Sequence, residues 1–388
     1  MKNQKFRMVA PCYFAFFVSG AFVLLVGTIL PYLIEEAGIN YSTAGGFLSA
    51  FAIGNLLASF VNPAIAKFIG KKWTTVILTA LIPISFYIIT LIPPTLVIYI
   101  AFVTAGIGRG SVSIINNEVV NNSFNGKPAA LNLLHMTFAV GAFVAPFVTM
   151  LFIGNGFNWR AIVYAIIVFS CISTLGYAWM SYSSVSEDNV KDETSENSEK
   201  YYRNPVFYIS GFLLFLYLGL ENCVNGWFVT YFKSIGIMSD SYAATLVSIT
   251  WVMVMLGRLL TAKLSTKIDR FRLVMAYCIA TCVFFILLIA TKNLIVITVA
   301  IAGLGFFFAG IYPTSVASVG NVVRGSKTGM SMFLAIAALG GIITPKIVGV
   351  LADNYGMVSG ILILAVNAVG MLILAIINVI RNSGKGKQ

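Results

Sequence analysis

Residues 294–319 read LIVITVAIAGLGFFFAGIYPTSVASV, 26 positions without one charged side chain. About 20 such residues suffice to carry a helix across the apolar core of a bilayer. Working outward from that run, residues 8–33 are equally free of Asp, Glu, Lys and Arg. The whole chain of 388 residues is 59% hydrophobic and only 10% charged, where an ordinary soluble domain carries about 25% charged residues. Mean hydropathy is +0.92. A soluble fold of this size exposes too much surface to hide so much apolar area. The chain reads as an all-α integral membrane protein.

Apolar runs separated by loop signals predict twelve spans. Six lie near 8–33, 42–66, 74–92, 95–122, 129–153 and 161–182; six more lie near 206–231, 242–264, 273–291, 294–319, 329–352 and 358–380. The only long polar stretch falls between the two sets and includes Glu187, Asp188, Asp192, Glu193, Glu196 and Glu199. This divides the chain into an N-terminal six-helix half (1–183), a linker (184–204) and a C-terminal six-helix half (205–388). The N-terminus leads into its apolar run with no small-residue cleavage signature, which reads as an uncleaved first span.

The net charge of +12 raises the question of nucleic acid, and its distribution answers it. The termini, the linker and the loops after spans two, four, eight and ten hold 19 of the 25 Lys and Arg residues. The opposite loops hold Arg160, Lys233 and Lys292. That bias predicts cytoplasmic termini in a plasma-membrane protein and makes the basic balance a matter of orientation, with no nucleic-acid partner. Five cysteines fall inside apolar runs and read as buried reduced thiols. The single His, His135, leaves no metal-ligand cluster. There is no grouped nucleophile, base and acid either, so the chain does not read as an enzyme. Expected partners are a small-molecule substrate and the lipid bilayer, with the chain acting as a monomer and needing no cofactor beyond a coupling proton or sodium ion.

The halves echo each other. Gly106, Gly108 and Gly110 in span four answer Gly303, Gly305 and Gly310 in span ten, and Gly141 to Pro146 in span five answers Gly340 to Pro345 in span eleven. Small residues permit close helix contact, and proline kinks a span. Two such halves are a common plan for secondary transporters.

With these repeats, the loop Asn62-Pro63-Ala64-Ile65-Ala66-Lys67-Phe68-Ile69-Gly70-Lys71-Lys72 and the pair Gly257-Arg258 resemble elements of the major facilitator superfamily. Lys67 stands where an Asp is usual in that loop, a departure that bears on its gating role. Leu131-Asn132-Leu133-Leu134-His135, followed by Gly141-Ala142 and Pro146, is similar to span five of the fucose-permease-like sugar:cation symporters. Tyr217-Leu218-Gly219-Leu220-Glu221 with Gly226-Trp227 is similar to their span seven. The resemblance implies two pseudo-symmetric six-helix bundles in which spans one, four, seven and ten line a central path. It also implies that Arg109 and Glu221 face each other across that path. The acidic residues which that group carries in spans one and four are missing here.

Ionisable groups at bilayer depth mark function, and here they are Arg109, Glu118, His135, Glu221 and Lys346, with Arg258 nearer a span end. At about 100° per residue, Asn116 shares a helical face with Arg109 while Glu118 points away, making Glu118 a candidate gate or a partner of His135. Tyr217, Glu221 and Asn225 form one polar stripe. The expectation is a secondary active transporter moving a small polar, sugar-like solute by alternating access with cation symport. Arg109, Asn116, Asn132, His135, Tyr217, Asn225, Trp227 and Tyr312 are its predicted substrate contacts and Glu221 its cation-coupling residue. Sodium coupling and uncoupled diffusion remain compatible with these residues. The alternatives are an organic-anion carrier using Arg109 and Lys346, a multidrug exporter, and a membrane sensor that does not transport.

Overall fold

Asparagine and aspartate side chains set where several helices begin. The computed structural model describes residues 2–124, 128–180, 201–320, 322–323, 326 and 328–383, and all regular structure among them is helical. The linker residues 184–200 lie outside the described residues. Helices α1 (Lys2–Ala37), α2 (Tyr41–Thr90), α3 (Thr95–Ser123), α4 (Pro128–Gly154) and α5 (Trp159–Trp179) precede it. Then follow α6 (Pro205–Ile235), α7 (Asp240–Leu264), α8 (Arg270–Ile289), α9 (Leu294–Val319), α10 (Gly329–Tyr355), α11 (Met357–Leu362) and α12 (Leu364–Ser383). The side chains of Asn40, Asn158, Asn204, Asp269 and Asn293 accept from the first free N–H groups of α2, α5, α6, α8 and α9 respectively.

Eleven helices among the described residues are long and apolar enough to cross a membrane. One of them, α2, has 50 residues and would extend about 75 Å if straight, far beyond a core of about 30 Å. Gly70 breaks it with φ 75° and ψ 160°, a conformation that strains any residue with a Cβ. The spans expected at 42–66 and 74–92 therefore share one element, divided by a single glycine. At the end of α1 the helix continues past the apolar run to include Glu35 and Glu36.

The chain folds as two compact units. One comprises Met1–Val190 with Asp240–Ser248, the other Lys191–Ser239 with Ile249–Gln388. In the first, Phe22, Phe47, Phe86 and Phe102 are fully buried; in the second, Phe207, Phe228, Phe285, Phe308 and Phe333 are. Leu96, Leu175, Leu259, Ile295 and Ile380 are instead left exposed, as hydrocarbon-facing residues should be. Cys12, Cys223, Cys278 and Cys282 are buried and free, but Cys171 is exposed. This corrects the expectation for that thiol: an apolar run identifies a span, and it does not say which face of the helix packs.

Glycines bring helix backbones together in both units by the same device. A Cβ at Gly141 would strike the Phe17 carbonyl, and one at Gly340 the Phe215 carbonyl. Likewise Gly106 sits against the Phe51 carbonyl and Gly305 against that of Thr250. These equivalent contacts are related by shifts of 198 or 199 positions, so the internal repeat extends to individual atoms. Replacing Gly141 or Gly340 by Ala is expected to cost about 1–3 kcal/mol through forced separation of the helices. Gly154→Ala, with nothing within 4 Å, should leave stability unchanged. Thermal unfolding in detergent measures the contrast.

Candidate functional site

Within the first unit, Arg109 lies half-buried midway along α3, and its Nη1 donates to Asn55 Oδ1 on α2 at 2.7 Å. The next residue, Gly110, permits this approach, since a Cβ there would meet the Asn55 carbonyl. A half-buried guanidinium held by a neutral amide keeps a cationic donor fork directed by packing.

Asn116 behaves differently although it shares the helical face. It is fully buried, its Nδ2 donates to the Cys12 carbonyl at 3.0 Å, and its Oδ1 accepts from the Tyr177 hydroxyl at 2.6 Å. The amide thereby ties α1, α3 and α5 together. His135 is exposed on α4, with its ring edge-on to Phe16 at 5.5 Å. The side chain of Asn132 lies outside the described residues.

Glu118 does have a partner near the end of its helix, and it is Lys71, one residue beyond the Gly70 break. Lys71 Nζ lies 2.6 Å from Glu118 Oε1, with the side chains 57% and 43% exposed. Such an exposed pair is worth at most about 1 kcal/mol of stability, so it acts as a tether that opens easily. The second unit repeats the link 199 positions later, where Arg270 Nη1 donates to the Ala317 carbonyl at 2.8 Å.

One cluster escaped the sequence reading. Glu36 accepts from both terminal guanidinium nitrogens of Arg160, at 2.7 and 2.8 Å, and from the Trp159 indole N–H at 2.8 Å. Arg160 Nε also donates to the Thr90 carbonyl, which clasps the ends of α1, α2 and α5. Its signal was the pairing of Glu35-Glu36 with Trp159-Arg160, at matching ends of two spans but 123 residues apart.

In the second unit α6 carries the polar stripe. Glu221 is half-buried, and the Tyr217 hydroxyl lies 2.9 Å from its Oε1 and 3.1 Å from the Phe308 carbonyl on α9. Tyr217 is only 3% exposed, with its ring against Phe308 at 5.6 Å and Tyr312 at 6.5 Å. The hydroxyl thus orients the Glu221 carboxylate. Trp227 is fully buried, with its N–H on the Pro345 carbonyl at 3.2 Å. Asn225, Tyr312 and Lys346 remain half-buried. Arg258 lies within electrostatic reach of the Tyr217 hydroxyl, a neighbour that linear depth did not reveal. Asn367 on α12, also overlooked, donates to the Leu216 carbonyl at 3.0 Å. Among the described residues no group of three His, Cys, Asp or Glu could hold a metal.

Two glycine-packed units of apolar helices each carry a mid-helix ionisable group beside a neutral neighbour, Arg109 with Asn55 and Glu221 with Tyr217. The family model for the Major Facilitator Superfamily covers residues 12–345. The chain belongs to the Major Facilitator Superfamily. As a superfamily member it is 24% identical over 362 residues to the glucose/mannose transporter GlcP of Bacillus subtilis (strain 168), covering 87% of this chain and 86% of that protein. Its fold is similar to the nucleoside transporter NupG, with TM-score 0.76, 16% identity and coverage of 97% and 98%. It is also similar to a variant of the E. coli fucose:proton symporter FucP, with TM-score 0.62, 19% identity and coverage of 95% and 98%. The superfamily fold thus accounts for the repeated halves.

Removing the Asn116 amide tests the tie between α1, α3 and α5. Asn116→Ala strands a buried carbonyl and hydroxyl and is expected to cost about 1–3 kcal/mol of stability. Solute affinity of the folded fraction should stay unchanged, which parallel unfolding and binding assays would read.

Proposed function

We propose that this superfamily member is a secondary active transporter that moves a small, polar, sugar-like solute by cation symport. The observation that carries the reading is Glu221, a half-buried carboxylate in the middle of an apolar helix, oriented by a tyrosine hydroxyl. Ionisable groups at that depth are rare and mark ion or solute paths. It can hold a proton or sodium ion while the solute is bound and release it afterwards. Each unit carries donors and acceptors suited to hydroxyls: Arg109 with Asn55 and His135 in the first, Asn225 and Tyr312 in the second. Asn132 is proposed with them on its sequence position.

The similarity to a glucose/mannose transporter, a nucleoside transporter and a fucose:proton symporter favours a polyhydroxylated solute. In this reading the bound solute is exposed to one face of the membrane and then the other. The chain sits in the plasma membrane as a monomer with both termini in the cytoplasm, the orientation its basic loops favour. The Lys71–Glu118 tether then lies on the cytoplasmic side, where its opening accompanies inward release.

The test separates coupling from binding. Glu221→Gln in proteoliposomes should abolish accumulation against a gradient, while exchange of external for internal labelled solute persists at a rate within a few-fold of the parent. Undiminished accumulation by that variant would remove Glu221 from the coupling role. Screening hexoses, pentoses, nucleosides and organic acids in the same vesicles assigns the solute class.

A further inference from the structure

We infer that Tyr217 is a positioning residue that transmits the charge state of Glu221 to helix α9, because its one hydroxyl proton lies between two acceptors. The inference rests on the reading of Glu221 as the coupling group and adds the route by which its occupancy is felt by the backbone.

The geometry is a choice between two bonds. The Tyr217 oxygen is 2.9 Å from Glu221 Oε1 and 3.1 Å from the Phe308 carbonyl oxygen, and a phenol has a single proton to donate. An ionised carboxylate is the stronger acceptor, since charge-assisted hydrogen bonds are roughly twice as strong as neutral ones. With Glu221 ionised, the proton therefore goes to Glu221. When Glu221 is protonated or engages a cation, its claim weakens and the proton turns to Phe308. Tyr217 is 3% exposed, so the acceptor that loses it is not readily compensated by bulk water. The ring itself is fixed edge-on to Phe308 at an interplanar angle of 82°, so the switch needs only rotation about the C–O bond.

The receiving carbonyl stands where α9 is weakest. Pro313 lies inside α9; having no N–H, it leaves the carbonyl four residues earlier, that of Ala309, without its helical donor. Phe308 is on the same turn. Gaining or losing the Tyr217 bond there changes how well that turn is held, and proline-weakened turns are where membrane helices bend. Two groups on neighbouring helices act on the Tyr217 hydroxyl, Tyr312 on α9 and Arg258 on α7. Elsewhere on the elements packed against α6, Lys346 lies at the level of Trp227, with Asp353 beyond it. Arg203 precedes α6, and Arg381 follows Asn378, which bonds Ser210. These four groups are displaced along α6 from Tyr217.

Hydrogen–deuterium exchange of the full-length protein in detergent tests the route, using Glu221→Gln as the neutral state at constant pH. Glu221→Gln should slow exchange in peptides covering 304–316 by about threefold, and leave those covering 340–350 of α10, which also packs on α6, unchanged. In combination with Tyr217→Phe, the same Gln substitution should produce no further change at 304–316. An equal effect of Glu221→Gln with and without Tyr217, or no effect at 304–316, would overturn the inference. Should Tyr217→Phe fail to fold, the contrast between the two peptide sets in the single variant still decides: slowing in both, or in neither, contradicts the route. The outcome is independent of the accumulation assay, so failure of the coupling reading and failure of this route are separately visible.

Discussion

Backbone touching backbone at glycine is the constraint on which the rest of the architecture depends. Where Gly340 of α10 lies on the Phe215 carbonyl of α6, no side chain fits. Gly219 and Gly341 extend the same seam, one against Thr344 and Asn367, the other against Asn222. Contact this close sets the rotation of α6 about its own axis. With that face committed to α10 and α12, the turn containing Tyr217 is presented to Phe308 of α9. The first unit uses the equivalent contact between Gly141 and Phe17 to bring α1 and α4 together, which sets His135 against Phe16.

Once the helices are that close, polar side chains find carbonyls. Asn116 bonds Cys12, Asn367 bonds Leu216, Trp227 bonds Pro345 and Arg160 bonds Thr90. In hydrocarbon an unsatisfied polar group is expensive, so polar residues at depth find partners within the protein. Asn116, Tyr217 and Trp227 are buried, whereas Arg109, Glu221, Asn225 and Tyr312 are half-buried.

Much of the fold was legible from local pattern. Uncharged runs marked the long apolar helices, glycine spacing marked the close contacts repeated in the two units, and depth within a span drew attention to Arg109 and Glu221, whose neighbours the structure supplies. What the local pattern leaves out has one physical cause. Helical phase says which residues of one helix point together, but not which neighbour they meet. Asn116 is in phase with Arg109, yet lies where α1 and α5 converge on α3, so it is sealed in. Tyr217 is in phase with Glu221, but its ring turns to α9. The Glu36–Arg160 clasp and the Lys71–Glu118 tether join residues 124 and 47 positions apart, separations over which local periodicity carries no information. Gly70 was readable as part of a loop motif; that it alone divides a 50-residue helix follows only from its φ of 75°.

Cation-driven movement of the solute is the central proposal. Uptake of labelled hexose into proteoliposomes, with an imposed inward proton or sodium gradient and then with that gradient collapsed by an ionophore, addresses it directly. Accumulation above the external concentration that vanishes on collapse is the predicted result. Uptake that stops at equal concentrations on both sides under either gradient would contradict it.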